Sequence, residues 1–315
     1  MLMIELRNVS KVYSLGVFGA KKLTAVDDVS FSINNGEIVS LIGESGSGKT
    51  TIGRMILRLI SITNGEIHFN GQNITNLKGK ELKEYYFKVQ GVFQDPFSSF
   101  NPIFKADRVF SLLKSEFFPK LPESQWQEKV INSLESVGLN PRTVLNKFPH
   151  QLSGGQLQRM LIARALLLDS KLLVADEIIS MLDASTRIDV LNILAELKKR
   201  GLSILFITHD LSLGYYVSDK SIILYRGSIL EMGKTELVFS NPLHPYTRML
   251  LESVPRLDKK WESFEIPERS ITGFFENNRC KYYDRCLHAT DECKKQELIE
   301  AEPNHYVACW RWNNV

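Results

Sequence analysis

No run of about 18 uncharged apolar residues, the length a membrane-spanning helix needs, occurs anywhere in this 315-residue sequence. The longest candidate, ALLLDSKLLVADEIISML, is broken by Asp169, Lys171, Asp176 and Glu177. The opening MLMIELRNVSKVY lacks a basic stretch followed by an apolar core. It alternates apolar and polar residues as a strand does, so no signal peptide is read there. Net charge is small, with 39 Lys and Arg against 36 Asp and Glu leaving +3, which gives no special case for nucleic acid as a partner. Internal repeats and low-complexity tracts are missing. Cysteine is scarce and confined to Cys280, Cys286, Cys293 and Cys309. The expectation is a soluble, cytosolic chain that can still dock on a membrane partner. Its composition, 43% hydrophobic and 24% charged, suits one large domain or two smaller ones.

The runs GEIVSLIG (Gly36–Gly43), KLLVADE (Lys171–Glu177) and LSILFITHD (Leu202–Asp210) read as buried strands with glycine or polar ends. TTIGRMILRLI (Thr50–Ile60) and VLNILAELKKR (Val190–Arg200) have helical periodicity, and the second ends in basic residues followed by Gly201. Strands alternating with helices predict an α/β fold around a mainly parallel sheet covered on both faces, with ligands gathering at the carboxyl ends of its strands. Residues from about Phe97 to Ser170 read as a helical insertion. After Asn241 the proline-containing stretch NPLHPYTRMLLESVPR starts a new unit, and the chain from Leu257 onward reads as charged and irregular.

The segment Gly43-Glu44-Ser45-Gly46-Ser47-Gly48-Lys49-Thr50 fits G-x-x-x-x-G-K-[ST], and Thr51 follows it. Glycines at that spacing let backbone N–H groups converge on phosphate oxygens, and the helix that follows adds its positive end. Lys49 is expected to reach the β- and γ-phosphates and the Thr50 hydroxyl to meet Mg²⁺. Asp176 ends an apolar strand and is a second candidate Mg²⁺ group. Glu177 is the natural general base for an attacking water. His209 ends another strand and is read as a γ-phosphate or water contact. Gln94, in GVFQDPFSSFNP, is a candidate Mg²⁺ or water contact beside a proline hinge.

The stretch LSGGQLQRM, Leu152 to Met160, poses a separate question. A helix starting at Ser153-Gly154-Gly155-Gln156 has free N–H groups and a positive end. Ser153 alone could cap it, and two glycines after a cap weaken a helix. Because one phosphate loop already serves the chain's own nucleotide, the anion at this tip is read as belonging to a facing subunit. Two chains placed head to tail would then sandwich two ATP molecules.

These motifs, in this order over about residues 1–240, resemble the ATP-binding subunits of ABC transporters. The resemblance implies a P-loop ABC-type core with N-terminal antiparallel strands, a helical subdomain at about 97–170 and a small cysteine-containing extension at 241–315. It also implies roles for Asp183 in SMLDAS, beside the nucleotide, and for Tyr13 in SKVY, stacked on adenine. VFQDPFSSFNP, KFPHQLSGGQLQRMLIARALL and above all NPLHPYTRMLLESVP are similar to the oligopeptide/dipeptide importer branch, some of whose members carry oligosaccharides or nickel. Implied partners are two permease subunits, a second ATP-binding subunit that is a paralogue or an identical copy, and, indirectly, an extracytoplasmic solute-binding protein. The implied site is the cytoplasmic face of the membrane, with no nucleic acid involved. Ile178, Ile179 and Met181 depart from the family pattern, which has Pro, Thr or Val and then Ala. That departure keeps open a regulatory nucleotide-binding subunit with weak hydrolysis. A non-transport ABC ATPase of DNA repair or translation is the other alternative, although the paired cassettes or long coiled-coil insertions common there are missing.

The cysteines are spaced C-x5-C-x6-C, then fifteen residues, then Cys309. Disulfides are disfavoured in a cytosolic chain. Spacing alone leaves zinc, a four-iron cluster and free thiols open, since the tight pairs usual for zinc are missing. The similarity of CKYYDRCLHATDEC and HYVAC to the importer ATPases implies a [4Fe–4S] cluster.

Overall fold

The computed structural model describes residues 1–15, 21–254, 280–294 and 297–314. In chain order the elements are β1 (Leu2–Leu15), β2 (Lys21–Asn34), β3 (Ile38–Ile42), α1 (Lys49–Ile56), β4 (Asn64–Phe69), β5 (Gln72–Asn73), α2 (Gly79–Lys88), β6 (Val89–Val92), α3 (Arg108–Phe117), α4 (Glu123–Ser136) and α5 (Pro141–Val144). They continue with α6 (Gly154–Leu166), β7 (Leu172–Asp176), α7 (Ala184–Lys199), β8 (Ser203–Thr208), α8 (Leu211–Val217), β9 (Lys220–Tyr225), β10 (Ser228–Lys234), α9 (Thr235–Ser240), α10 (Pro245–Glu252), β11 (Ile299–Glu302) and β12 (His305–Val307). The chain divides into two units. One holds Met1–Met3, Asn34–Gly36 and Asn76–Leu205, and the other Ile4–Ile33, Glu37–Thr75 and Phe206–Val315.

In the first unit β6 and β7 pair in parallel, Val89 opposite Leu172 through Val92 opposite Ala175. All five residues of β7 are buried, as a strand covered on both faces requires. The helices of this unit present apolar stripes. Trp126, Val130 and Leu134 of α4 recur every fourth residue and are buried, and the Ser133 hydroxyl donates to the Ala163 carbonyl of α6 at 2.7 Å. On α7, Val190, Leu191, Leu194 and Leu197 form the buried face, the spacing of one side of a 3.6-residue helix.

In the second unit β2, β1, β4 and β5 form a sheet in that order, with β4 antiparallel to both β1 and β5. β3 runs parallel to β9, Val39 opposite Lys220 through Ile42 opposite Ile223. β10 returns antiparallel to β9, and β12 adds antiparallel to β10, with Glu231 opposite Val307. β12 in turn pairs with β11. The two C-terminal strands differ from the irregular structure expected beyond Leu257. They have four and three residues, too few to show a period of two, and their partner lies some 70 residues upstream. The stretch from Leu257 to Arg279 lies outside the described residues. Residues past Asn241 also share this unit's core: Tyr246, Leu250, Tyr282 and Cys286 pack with Ile42, Ile223 and Tyr225.

Candidate functional site

The phosphate loop begins where β3 ends and stops where α1 starts. Two of its glycines are required by close approach. A Cβ on Gly43 would lie 2.1 Å from the Leu224 carbonyl oxygen, and one on Gly48, whose φ is +104°, would lie 2.5 Å from that of Ala25. The Ser47 N–H donates to the Glu44 carbonyl at 3.2 Å, and the Gly227 N–H to the Ser47 carbonyl at 2.8 Å. The Lys49 ammonium is buried and donates to the Gly43 and Glu44 carbonyls at 2.8 and 2.9 Å. α1 has neither a side-chain cap nor an acidic residue in its first turn, so its amino end keeps its positive character for an anion. The buried Ser47 hydroxyl oxygen has no hydrogen-bond partner among the described residues. Ser45 and Gly46 are exposed, and Thr50 and Thr51 half-buried.

The same unit carries Tyr13 and His209. Tyr13 sits half-buried on β1, with the Lys11 ammonium 5.1 Å from its ring centre. His209 is exposed just past β8. Asp210 beside it caps α8 by accepting from the N–H groups of Ser212 and Leu213 at 2.9 and 3.3 Å, which fixes where the strand ends.

In the first unit Asp176 is buried at the carboxyl end of β7. Glu177 follows at φ +50°, a left-handed conformation uncommon for a residue with a side chain and often found at functional sites. Its carbonyl accepts from the Ser180 N–H at 3.2 Å and the Ser180 hydroxyl at 2.9 Å. Ile178 and Ile179 are 1% and 2% exposed, whereas Met181 is 61% exposed. The isoleucines that depart from the family pattern are therefore core-filling residues behind Glu177. Arg187 braces the turn by donating to the Leu182 carbonyl at 2.7 Å. Asp183 caps α7, accepting from the Thr186 N–H at 3.0 Å and the Ser185 hydroxyl at 2.6 Å. The Ser185 hydroxyl first, and then the Thr186 donors, hold this carboxylate well below the usual range. Gln94 is exposed in the bend after β6.

The start of α6 is a full capping box. The Gln156 N–H donates to the Ser153 hydroxyl at 3.2 Å and the Ser153 N–H to the Gln156 side chain at 2.9 Å. Gly155 has an internal reason that the sequence did not disclose: a Cβ there would fall 2.5 Å from the Thr186 methyl of α7. A facing anion is thus not needed to explain that glycine. Gly154 differs, since a Cβ on it would meet only ordinary contacts at 3.8 Å and beyond.

All four cysteines line one small pocket, together with His244 and Trp310. None is in a disulfide. Burial pushes the Cys280 thiol up to about 12 and raises that of Cys309. Cys293 goes the other way. Its partial burial opposes ionisation, but the Thr290 N–H at 3.3 Å and the Trp310 indole N–H at 3.4 Å favour the thiolate. Among the described residues no three His, Cys, Asp or Glu side chains are grouped to hold a single metal ion. Sequence reasoning also missed Tyr246 and Arg285, both in contact with Glu44 of the phosphate loop.

Among the described residues no helix is long and apolar enough to cross a membrane. Residues 26–180 match the family described as ABC transporter, and residues 230–293 match the oligopeptide/dipeptide transporter C-terminal region. Oligopeptide transport ATP-binding protein OppF of Bacillus subtilis (strain 168) is 41% identical over 288 residues, which is 90% of each chain. The corresponding protein AmiF of Streptococcus pneumoniae serotype 4 is 42% identical over 293 residues, 92% of this chain and 90% of that one. Among solved structures, the dimeric post-hydrolysis state of the ATP-binding cassette MJ0796 bound to ADP and Pi superposes with a TM-score of 0.67 at 30% identity, covering 74% of this chain and 99% of that one.

Proposed function

Since the chain belongs to the ATP-binding subunits of ABC transporters, within the oligopeptide importer family, we propose that it hydrolyses ATP to power the import of oligopeptides or dipeptides through a membrane permease. The observation that carries the reading is the phosphate loop itself, a glycine turn at the end of β3 with a buried lysine at the amino end of an uncapped helix. Lys49 binds the β- and γ-phosphates, and the backbone of Gly43 to Thr51 cradles them. Tyr13 stacks on adenine and His209 meets the γ-phosphate. Glu177 takes the proton of the water that attacks the γ-phosphorus in line with the leaving ADP oxygen. The strained backbone at Glu177 and the packed isoleucines behind it support a general base held in one orientation. Thr50, Gln94 and Asp176 each carry an oxygen donor of the kind a hard cation prefers and would be the residues to hold Mg²⁺, which would neutralise phosphate charge.

The motor works as a pair of ATP-binding subunits, a paralogue or a second copy facing this one. Ser153, Gly154, Gly155, Gln156 and Asp183 complete the nucleotide site of the facing subunit. The dimeric state of the similar cassette MJ0796 supports that assembly. Residues 1–240 serve as the cassette, with the helical subdomain at about 97–170 turned to two permease subunits on the cytoplasmic face. A solute-binding protein acts on the outer side. Residues 241–315 form the extension, whose four cysteines would hold a [4Fe–4S] cluster. That all four line one pocket supports one group shared among them, and such a cluster would cross-link Cys280, Cys286, Cys293 and Cys309.

Glu177→Gln tests the central role. Assayed with its partner subunit and permease, this variant is expected to bind Mg-ATP as the parent does and to hydrolyse it at least about 100-fold more slowly, the scale of general-base catalysis. Turnover within a few-fold of the parent overturns the assignment.

A further inference from the structure

The nucleotide chemistry leaves unexplained a set of contacts on the outer wall of the phosphate loop. Lys281 to Arg285, the five residues between Cys280 and Cys286, grip that wall at three places. The Lys281 ammonium lies 3.2 Å from the Asp27 carboxylate. Asp284 accepts from Arg226 at 2.7 Å. The Arg285 guanidinium donates to both oxygens of Glu44 at 3.0 and 2.9 Å. Each partner belongs to the loop or its support. Glu44 is the loop's second residue, Arg226 precedes the glycine that donates to the Ser47 carbonyl, and the Asp27 N–H donates to that glycine's carbonyl at 2.8 Å. Tyr282 anchors the segment, buried with its ring centre 5.4 Å from that of Tyr225 and 5.2 Å from that of Tyr246. The Tyr246 phenol accepts the Glu44 N–H at 3.2 Å.

Glu44 creates an electrostatic problem. It places a carboxylate on a loop whose task is to hold a triphosphate, and like charges are felt over about 8 Å at physiological salt. The half-buried Glu44–Arg285 pair cancels that charge, and the Tyr246 contact fixes the backbone that carries it. We propose that Arg285 is a positioning residue of the ATP site that neutralises Glu44, and that Lys281–Arg285 is the strap by which the C-terminal extension sets nucleotide affinity. This rests on the loop being the ATP site.

The test measures binding of a magnesium-bound, non-hydrolysable ATP analogue to the full-length protein at low and high salt. Arg285→Ala is expected to weaken binding about fivefold at low salt, the upper range for one partly exposed charge pair, and less at high salt. Glu44→Gln leaves Arg285 facing the phosphates and is expected to tighten binding about threefold at low salt. The double variant returns to within about twofold of the parent. A clasp that serves only stability would make both single variants bind more weakly, and that result overturns the proposal, as does parental affinity in Arg285→Ala. If Arg285→Ala fails to fold, the sign of the Glu44→Gln effect decides alone. Lys49→Ala separates the two levels: unchanged binding in that variant removes the loop as the ATP site, and the strap falls with it. Lost binding in Lys49→Ala with no opposite-signed pair removes the strap alone.

Discussion

Gly155→Ala isolates a packing constraint at the start of α6. The new methyl would sit 2.5 Å from the Thr186 Cγ2 atom, against an optimum of roughly 3.5–4.0 Å between carbons. Helices α6 and α7 would have to separate by about 1 Å locally, and overpacking on that scale costs about 1–3 kcal/mol. Alanine recovers at most about 1 kcal/mol through better helix propensity, so a net loss of about 1–2 kcal/mol is expected. Thr186→Ser removes the clashing atom and keeps the hydroxyl that donates to Asp183 at 2.8 Å. The next nearest atoms, the Thr186 Cβ and Oγ1, are both 3.7 Å away, at ordinary contact. In the serine background Gly155→Ala should therefore be neutral or stabilising by up to about 1 kcal/mol. Denaturant unfolding of the four proteins, followed by circular dichroism without nucleotide, gives both terms of the cycle. If Gly155→Ala with Thr186 intact matches or exceeds the parent in stability, or if serine relieves nothing, the packing account of this glycine is wrong.

The remaining predictions concern the second unit. Burial pushes the His244 imidazole down to about 3, and its Nδ1 accepts the Tyr246 N–H at 3.0 Å. The unfolded chain takes up that proton near pH 6.5. This contribution to stability is whole above pH 6.5 and falls as pH drops toward 3, by up to about 1.4 kcal/mol per pH unit. His244→Asn should show a shallower slope of unfolding free energy between pH 6.5 and 5, and an unchanged slope refutes the assignment. For the cysteines, anaerobically prepared protein is expected to contain iron and acid-labile sulfide in equal amounts, both lost in Cys280→Ser. Zinc without sulfide would replace the cluster reading.

Those parts of the fold whose signals are local were legible in the sequence. β3, β7 and β8 are unbroken apolar runs because both of their faces are buried. α7 shows its basic last turn and the glycine after it. The phosphate loop is written in consecutive residues. What stayed hidden depends on residues far apart in the chain. Arg285 meets Glu44 across 241 positions, and Gly155 meets a threonine on another helix, so no window of periodicity could reveal either contact. The same holds for β12, three residues long, which is a strand through its pairing with β10 and β11. Ile178 and Ile179 look anomalous beside a family pattern yet ordinary in place, because the environment behind Glu177 is apolar.

The carboxylate of Glu231 has no exposure at all. It accepts the N–H groups of Leu243 and His244 at 2.9 and 2.8 Å and lies 2.7 Å from the imidazole Nε2 of His305. All three partners come from beyond residue 240, where the cassette's recognisable motifs end. A chain cut back to those motifs would take away all three of these partners together and would bare the flank of β10 to other chains. The part of the unit beyond residue 240 is therefore no detachable accessory.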